Sequence, residues 1–155
     1  MAGMKFSRET LKGLNKTPGD FNLAHRFTLE IDKVSIGGVH TVKGLSHENE
    51  TVEYQDGDDA VTRFRAGRQK QSPIEVTRDF SGNKEFYNWR KTVIDGDTAR
   101  RSVSIVLLND KGEESSRINL HECLPIAWVG PDLNSRSSGH ASETLKILFE
   151  TMDWA

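Results

Sequence analysis

Phe27-Thr28-Leu29-Glu30-Ile31-Asp32 alternates without a break: Phe27, Leu29 and Ile31 are apolar, and Thr28, Glu30 and Asp32 are polar. A period of two puts the first set on one face of an extended chain and the second set on the other, which is the pattern of a half-buried β-strand. The same period returns in the second half of the chain. Val103, Ile105 and Leu107 alternate, Asp110-Lys111-Gly112 reads as a turn, and Leu145, Ile147 and Phe149 form a further alternating strand. Ile118, Leu120, Leu124, Ile126 and Trp128 all fall on even positions, interrupted by Glu122 and ended by Gly130-Pro131, and are read as one inward-facing row.

Between these runs, Gly37-Gly38 marks a turn, and Val39, Thr41, Val42 and Leu45 form a second strand with a bulge expected at Gly44. Pro73, Ile74 and Val76 begin another strand, expected at a sheet edge because proline has no N–H for a ladder. A helix is expected over 83–95. Phe86, Trp89 and Val93 fall at i, i+3 and i+7 with Ile94 beside them, Ser81 or Asn83 can cap its start, and Gly96 can end it. The fold class is mainly β (α+β): six or seven antiparallel strands in a two-sheet sandwich or small barrel, with one flanking helix that plugs an open end or covers a face.

A chain of 155 residues is one domain by length and buries about 68 to 70% of its unfolded surface at this size. Hydrophobic residues make up 35%, charged residues 28%, and the mean hydropathy is −0.60, so the core is lean and the polar surface large. Such a balance suits a thin sandwich or a subunit whose faces are covered by its copies. Residues 1–20 are polar, punctuated by Gly3, Gly13, Pro18 and Gly19, and are read as a flexible N-terminal arm ahead of a single domain over 21–155. No stretch approaches the 18 or so apolar residues of a membrane span, and the N-terminal stretch has no apolar signal core, so neither membrane insertion nor secretion by a cleaved signal is expected.

Residues 46–71 are the most unusual. Glu48, Glu50, Glu53, Asp56, Asp58 and Asp59 come first with no base among them, and Arg63, Arg65, Arg68 and Lys70 follow with no acid among them. The net charge of −2 is thus the sum of an acidic and a basic stretch placed side by side. Strand-like alternation on both sides of Asp56-Gly57-Asp58 predicts a long hairpin. Within one subunit the acids and bases can pair across the hairpin. Between subunits, the acidic arm of one copy can meet the basic arm of another in a head-to-tail contact, which closes a ring or propagates a filament. These ten residues, with Trp154 as an apolar anchor near the C-terminus, are the candidate interface residues.

Motifs for chemistry are lacking. His25, His40, His47, His121 and His140 show no spacing that puts two on one helix face for a metal. The acids around Gly57 depart from a calcium loop, with Ala60 at position five and Gly67 at position twelve. No phosphate loop and no nucleophile elbow occur, and Cys123 is the one cysteine, read as a small buried hydrophobe. No catalytic residue, cofactor or metal is assigned, and the protein is read as not an enzyme. The strip Arg63–Lys70 keeps open an alternative: a stand-alone small β-barrel module that binds an anionic ligand or nucleic acid.

Several ordered pieces together carry a family resemblance. These are Phe27 to Ile31 with Gly37-Gly38; Val42, Gly44 and Leu45 leading to Val52-Glu53-Tyr54-Gln55-Asp56-Gly57; Glu85-Phe86-Tyr87-Asn88-Trp89; Val103 to Gly112; Pro125 before Trp128; and Gly130-Pro131-Asp132-Leu133-Asn134 closing into Glu143-Thr144-Leu145. From about residue 21 to 150 the chain resembles the tail tube (inner tube) proteins of contractile phage tails and phage-like contractile injection systems. The resemblance implies a bacterial cytoplasmic product assembled into a phage tail or an injection particle. It implies hexameric rings stacked into a tube whose lumen conducts cargo, protein or DNA. Its partners are then other copies, a contractile sheath, and baseplate and tube-terminating proteins. In such a tube the sheets of neighbours join into one wall, the hairpin reaches an adjacent subunit or ring, and polar residues such as Thr28, Glu30, Asp32, Ser102 and Ser104 can face the lumen.

Overall fold

The computed structural model describes residues 26–155, so the arm expected over 1–20 lies outside the described residues. Ten strands and one helix follow in order: β1 Phe27–Ile31, β2 Val34–Ile36, β3 Val39–Lys43, β4 Glu48–Tyr54, β5 Arg63–Lys70, β6 Ile74–Asp79, α1 Glu85–Ile94, β7 Arg101–Leu108, β8 Glu114–Val129, β9 Ser142–Leu148 and β10 Thr151–Trp154. All pairings are antiparallel. A first sheet runs β2-β1-β7-β8-β10 and a second runs β8-β9-β6-β3, and β8 belongs to both. Among the described residues β4 and β5 pair only with each other. No pairing among the described residues joins β2 to β3, so the body is an open sandwich and not a closed barrel.

The alternation places the core. Leu29, Ile31, Val103, Ile105, Ile118 and Leu120 of the first sheet face Ile74, Val76, Leu145 and Ile147 of the second, and α1 adds Phe86 and Trp89. Each such side chain contributes about 1.5 to 3 kcal/mol by leaving water. The helix is narrower in its apolar contact than the sequence pattern suggests: Val93 is half-buried and Ile94 is 65% exposed. Its N-cap is Lys84, which has no capping side chain, but Asn83 Oδ1 accepts from the Glu85 N–H at 3.0 Å. It ends where Gly96, at φ 91°, donates its N–H to the Val93 carbonyl. No helix among the described residues is long and apolar enough to cross a membrane.

Four expectations differ from the structure. β6 is an internal strand, flanked by β9 and β3; Pro73 precedes it, so the missing N–H falls outside the ladder and forces no edge. The irregularity of β3 lies between Val39 and Thr41, not at Gly44. Gly44 instead allows a close approach, because at φ 81° its bare Cα passes Pro73, whose carbonyl oxygen would stand 2.8 Å from any Cβ. The even-numbered row of β8 breaks phase at Glu122, which adopts a left-handed φ of 54°. Ile118 and Leu120 are buried before it, but Cys123 and Pro125 after it, leaving Leu124 half-buried and Ile126 exposed; one extra residue turns every following side chain over. A second shift between Pro125 and Ala127 returns Trp128 to the core side. Finally, the strands number ten and not six or seven, with β2 and β10 wholly unforeseen. β2 folds back through Asp32 and Lys33, both at positive φ, a tight hairpin made without glycine.

Candidate subunit interface

The hairpin expected over 46–71 forms as the β4–β5 ribbon. Its strands pair as Tyr54↔Arg63, Glu53↔Phe64, Val52↔Arg65 and Thr51↔Ala66, then, past a bulge, Asn49↔Gln69 and Glu48↔Lys70. Directly opposed residues share a face. One face therefore carries Tyr54, Arg63, Val52 and Arg65, with Glu48 and Lys70 at the far end. The other carries Glu53, Phe64, Thr51 and Ala66. Val52 is partly covered by packing over Gly67, where an added Cβ would meet Val52 Cγ2 at 3.0 Å. Nearly everything else on both faces is exposed, including Phe64 at 62%.

Of the ten charged candidates, the structure closes one ion pair, Arg63 Nε to Asp59 Oδ2 at 2.5 Å. Glu48 and Lys70 face each other across the ladder but form no ion pair, and Glu53 lies on the opposite face from Arg63 and Arg65. Glu50, Asp56, Asp58, Arg65 and Arg68 likewise have no ionic partner among the described residues. A two-stranded ribbon exposed on both faces is marginal in water by itself. No element among the described residues covers either face of it.

Trp154 closes β10 opposite Ile118 and is 63% exposed. Among the described residues β10 is one free edge of the first sheet, and β2 is the other, with Val34 exposed at 62%. The same sheet presents a polar face away from the core. Ser35, Glu30, Ser104, Asn119 and Asp153 form one rung across five strands. Ser104 Oγ donates to Asn119 Oδ1 at 2.9 Å, and Asn119 Nδ2 to Asp153 Oδ2 at 3.2 Å. Arg117 binds Glu30 at 2.7 Å and Glu114 at 2.9 Å. Hydrogen bonding to Arg117 holds the Glu114 carboxyl below the usual carboxylate range, and the bonds to Glu114 and Glu30 raise the guanidinium further. His121 and Asn119 likewise lower Asp153. Thr28, Glu30, Ser102 and Ser104 lie on this face, while Asp32 sits in the turn after β1 and accepts from the Ser102 N–H.

Sequence reading missed a buried pair that seats the helix. Arg78 Nε donates to Glu143 Oε1 at 2.5 Å, with both residues almost wholly buried. Arg78 also lies 3.9 Å over the Phe86 ring and donates to the Asn83 carbonyl, and Trp128 Nε1 donates to Glu143 Oε2 at 3.0 Å. The signal was phase: Arg78 continues the inward series Ile74, Val76, and Glu143 begins the inward series Leu145, Ile147.

The family model of the T4-like virus tail tube protein gp19 matches residues 23–153. The chain belongs to this tail tube family. The fold agrees. A chain of the sheath-tube complex of the extracellular contractile injection system PVC, in the extended state, shares 20% identity at a TM-score of 0.78, over 97% of this chain and 99% of that one. A chain of the anti-feeding prophage baseplate shares 20% identity at 0.76, over 91% and 97%. Hcp1 from Flavobacterium johnsoniae shares 14% identity at 0.54, over 83% and 94%. At these identities the likeness is one of fold. No curated protein sequence matches the chain.

Proposed function

We propose that this tail tube family member is the inner-tube subunit of a contractile injection particle or phage tail. Six copies close a ring, rings stack, and the lumen conducts protein or DNA cargo inside a contractile sheath, with baseplate and tube-terminating proteins at the ends. The role is structural and needs no catalysis. The observation that carries this reading is the β4–β5 ribbon, exposed on both faces, in a family that builds tubes. The ribbon's charges, Glu48, Glu50, Glu53, Asp56, Asp58, Asp59, Arg63, Arg65, Arg68 and Lys70, contact neighbouring copies. The ring closes where the β2 edge of one copy, bearing Val34, meets the β10 edge of the next, bearing Trp154, because free strand edges are templates for pairing. The polar face of the first sheet then lines the lumen.

Negative-stain electron microscopy of the purified protein, alone and with sheath and baseplate proteins, tests the reading. Rings or tubes of uniform width are expected. Monomers persisting at high concentration, with no rings even alongside sheath and baseplate, would overturn it, and binding of a polyanion by those monomers would favour the binding-module alternative.

A further inference from the structure

An apolar groove runs between α1 and the C-terminal half of β8. Two hollows of about 280 and 340 Å³ meet at the edge-on pair Tyr87 and Trp128, whose ring centres are 5.3 Å apart. Phe80, Ile94 and Ile126 extend the groove, each more than two-fifths exposed. Lys84 lines one hollow and Arg90 the other, and neither forms an ion pair with a described residue. The acid at the floor, Glu143, is already held by Arg78. The groove is therefore greasy, with an unmatched cation at each hollow.

The ribbon carries the complementary pattern. Phe64 and Glu53 stand opposed on one face, Val61 is 61% exposed nearby, and Asp56 and Asp58 at the tip have no ionic partner. Among the described residues no extensive packing joins β4 or β5 to α1 or β8. Seven residues of β4 at about 3.3 Å each give a reach of roughly 20 Å. We infer that the groove is the dock for the ribbon of a second copy, with Phe64 seated against Tyr87 and Trp128, and Glu53, Asp56 and Asp58 facing Lys84 and Arg90. The inference rests on the tube reading and deepens it by naming the surface that receives the ribbon. Two different patches on one chain make a heterologous contact, which propagates from copy to copy instead of closing on a pair.

Variants of the full chain with one added cysteine test this, since the native Cys123 thiol is buried and pushed up to about 12 by that burial, and so stays silent. Phe64→Cys and Ile126→Cys proteins, mixed under assembly conditions with a short bis-maleimide linker, should give a covalent pair of twice the subunit mass. Phe64→Cys mixed with Leu133→Cys, more exposed but outside the groove, should give at least tenfold less. No pair in the first mixture, or equal pairing in both, overturns the inference. As a second measurement, Lys84→Glu with Arg90→Glu should shorten tubes, and Glu53→Lys with Asp56→Lys and Asp58→Lys added in the same chain should restore them. Unchanged tubes in the groove variant also overturn it. If the unaltered chain forms tubes while these tests fail, the dock is wrong and the tube stands; if it forms no rings, both fall.

Discussion

Among the described residues, Arg78 and Glu143 lie in the one place where the inward alternation of the sheets carries charge. Their pairing, with Phe86 beneath the guanidinium and Trp128 on the second carboxylate oxygen, ties β6, β9, β8 and α1 together. Removing one partner of a buried pair leaves an uncompensated charge and costs about 3 to 5 kcal/mol. Arg78→Met should lower the free energy of unfolding by that amount in chemical denaturation. Arg78→Met with Glu143→Gln, which keeps an acceptor for Trp128, should recover most of the loss; an unchanged single variant would sink this account. At this scale the sequence is partly legible. Phase shows that Arg78 and Glu143 point inward, but their mutual contact joins positions 65 apart, and no local pattern reports that. Cys123, expected as a buried small hydrophobe, is one, fully shielded.

Among elements, length decides what can be read. Strands of five or more residues with clean alternation, such as β1, β7 and β9, are visible because several side chains vote for one face. β2 and β10, of three and four residues, have too few, and the Asp32-Lys33 turn lacks the usual asparagine or glycine signal. Glu122 shows the other limit: the sequence marks it as a polar break in the even-numbered row, but not that its left-handed backbone inverts β8 as far as Pro125, where a second shift restores the phase. The ribbon is legible as a hairpin, but its register is not, and register decides which charges share a face. Arg63→Glu, Arg65→Glu and Arg68→Glu together should leave subunit stability within about 1 kcal/mol, since one exposed ion pair, Asp59–Arg63, is lost. Tube formation should fail. Normal tubes from this variant, counted by electron microscopy, would make the basic arm a solvated surface.

For the whole molecule, the lean composition acquires a physical reason. Among the described residues the open sandwich keeps edge strands at β2, β3 and β10 and a protruding ribbon, and several of its exposed apolar side chains, Val34, Phe64, Ile126 and Trp154 among them, stand at these surfaces and at the groove. Large aromatic side chains at such contacts commonly carry about 2 kcal/mol or more. Trp154→Ala should therefore weaken ring closure by about tenfold or more, at about 1.4 kcal/mol per tenfold, measured as the concentration dependence of ring mass. The melting temperature of the monomer should hardly change; rings of undiminished stability would remove Trp154 from the interface. The shared strand β8 has a mechanical consequence. Its 16 residues run unbroken from the first sheet into the second, laddered to β7 and β10 and then to β9. A pull that tends to separate the sheets travels along covalent backbone and loads those ladders lengthwise, so that many bonds must yield together instead of peeling one by one.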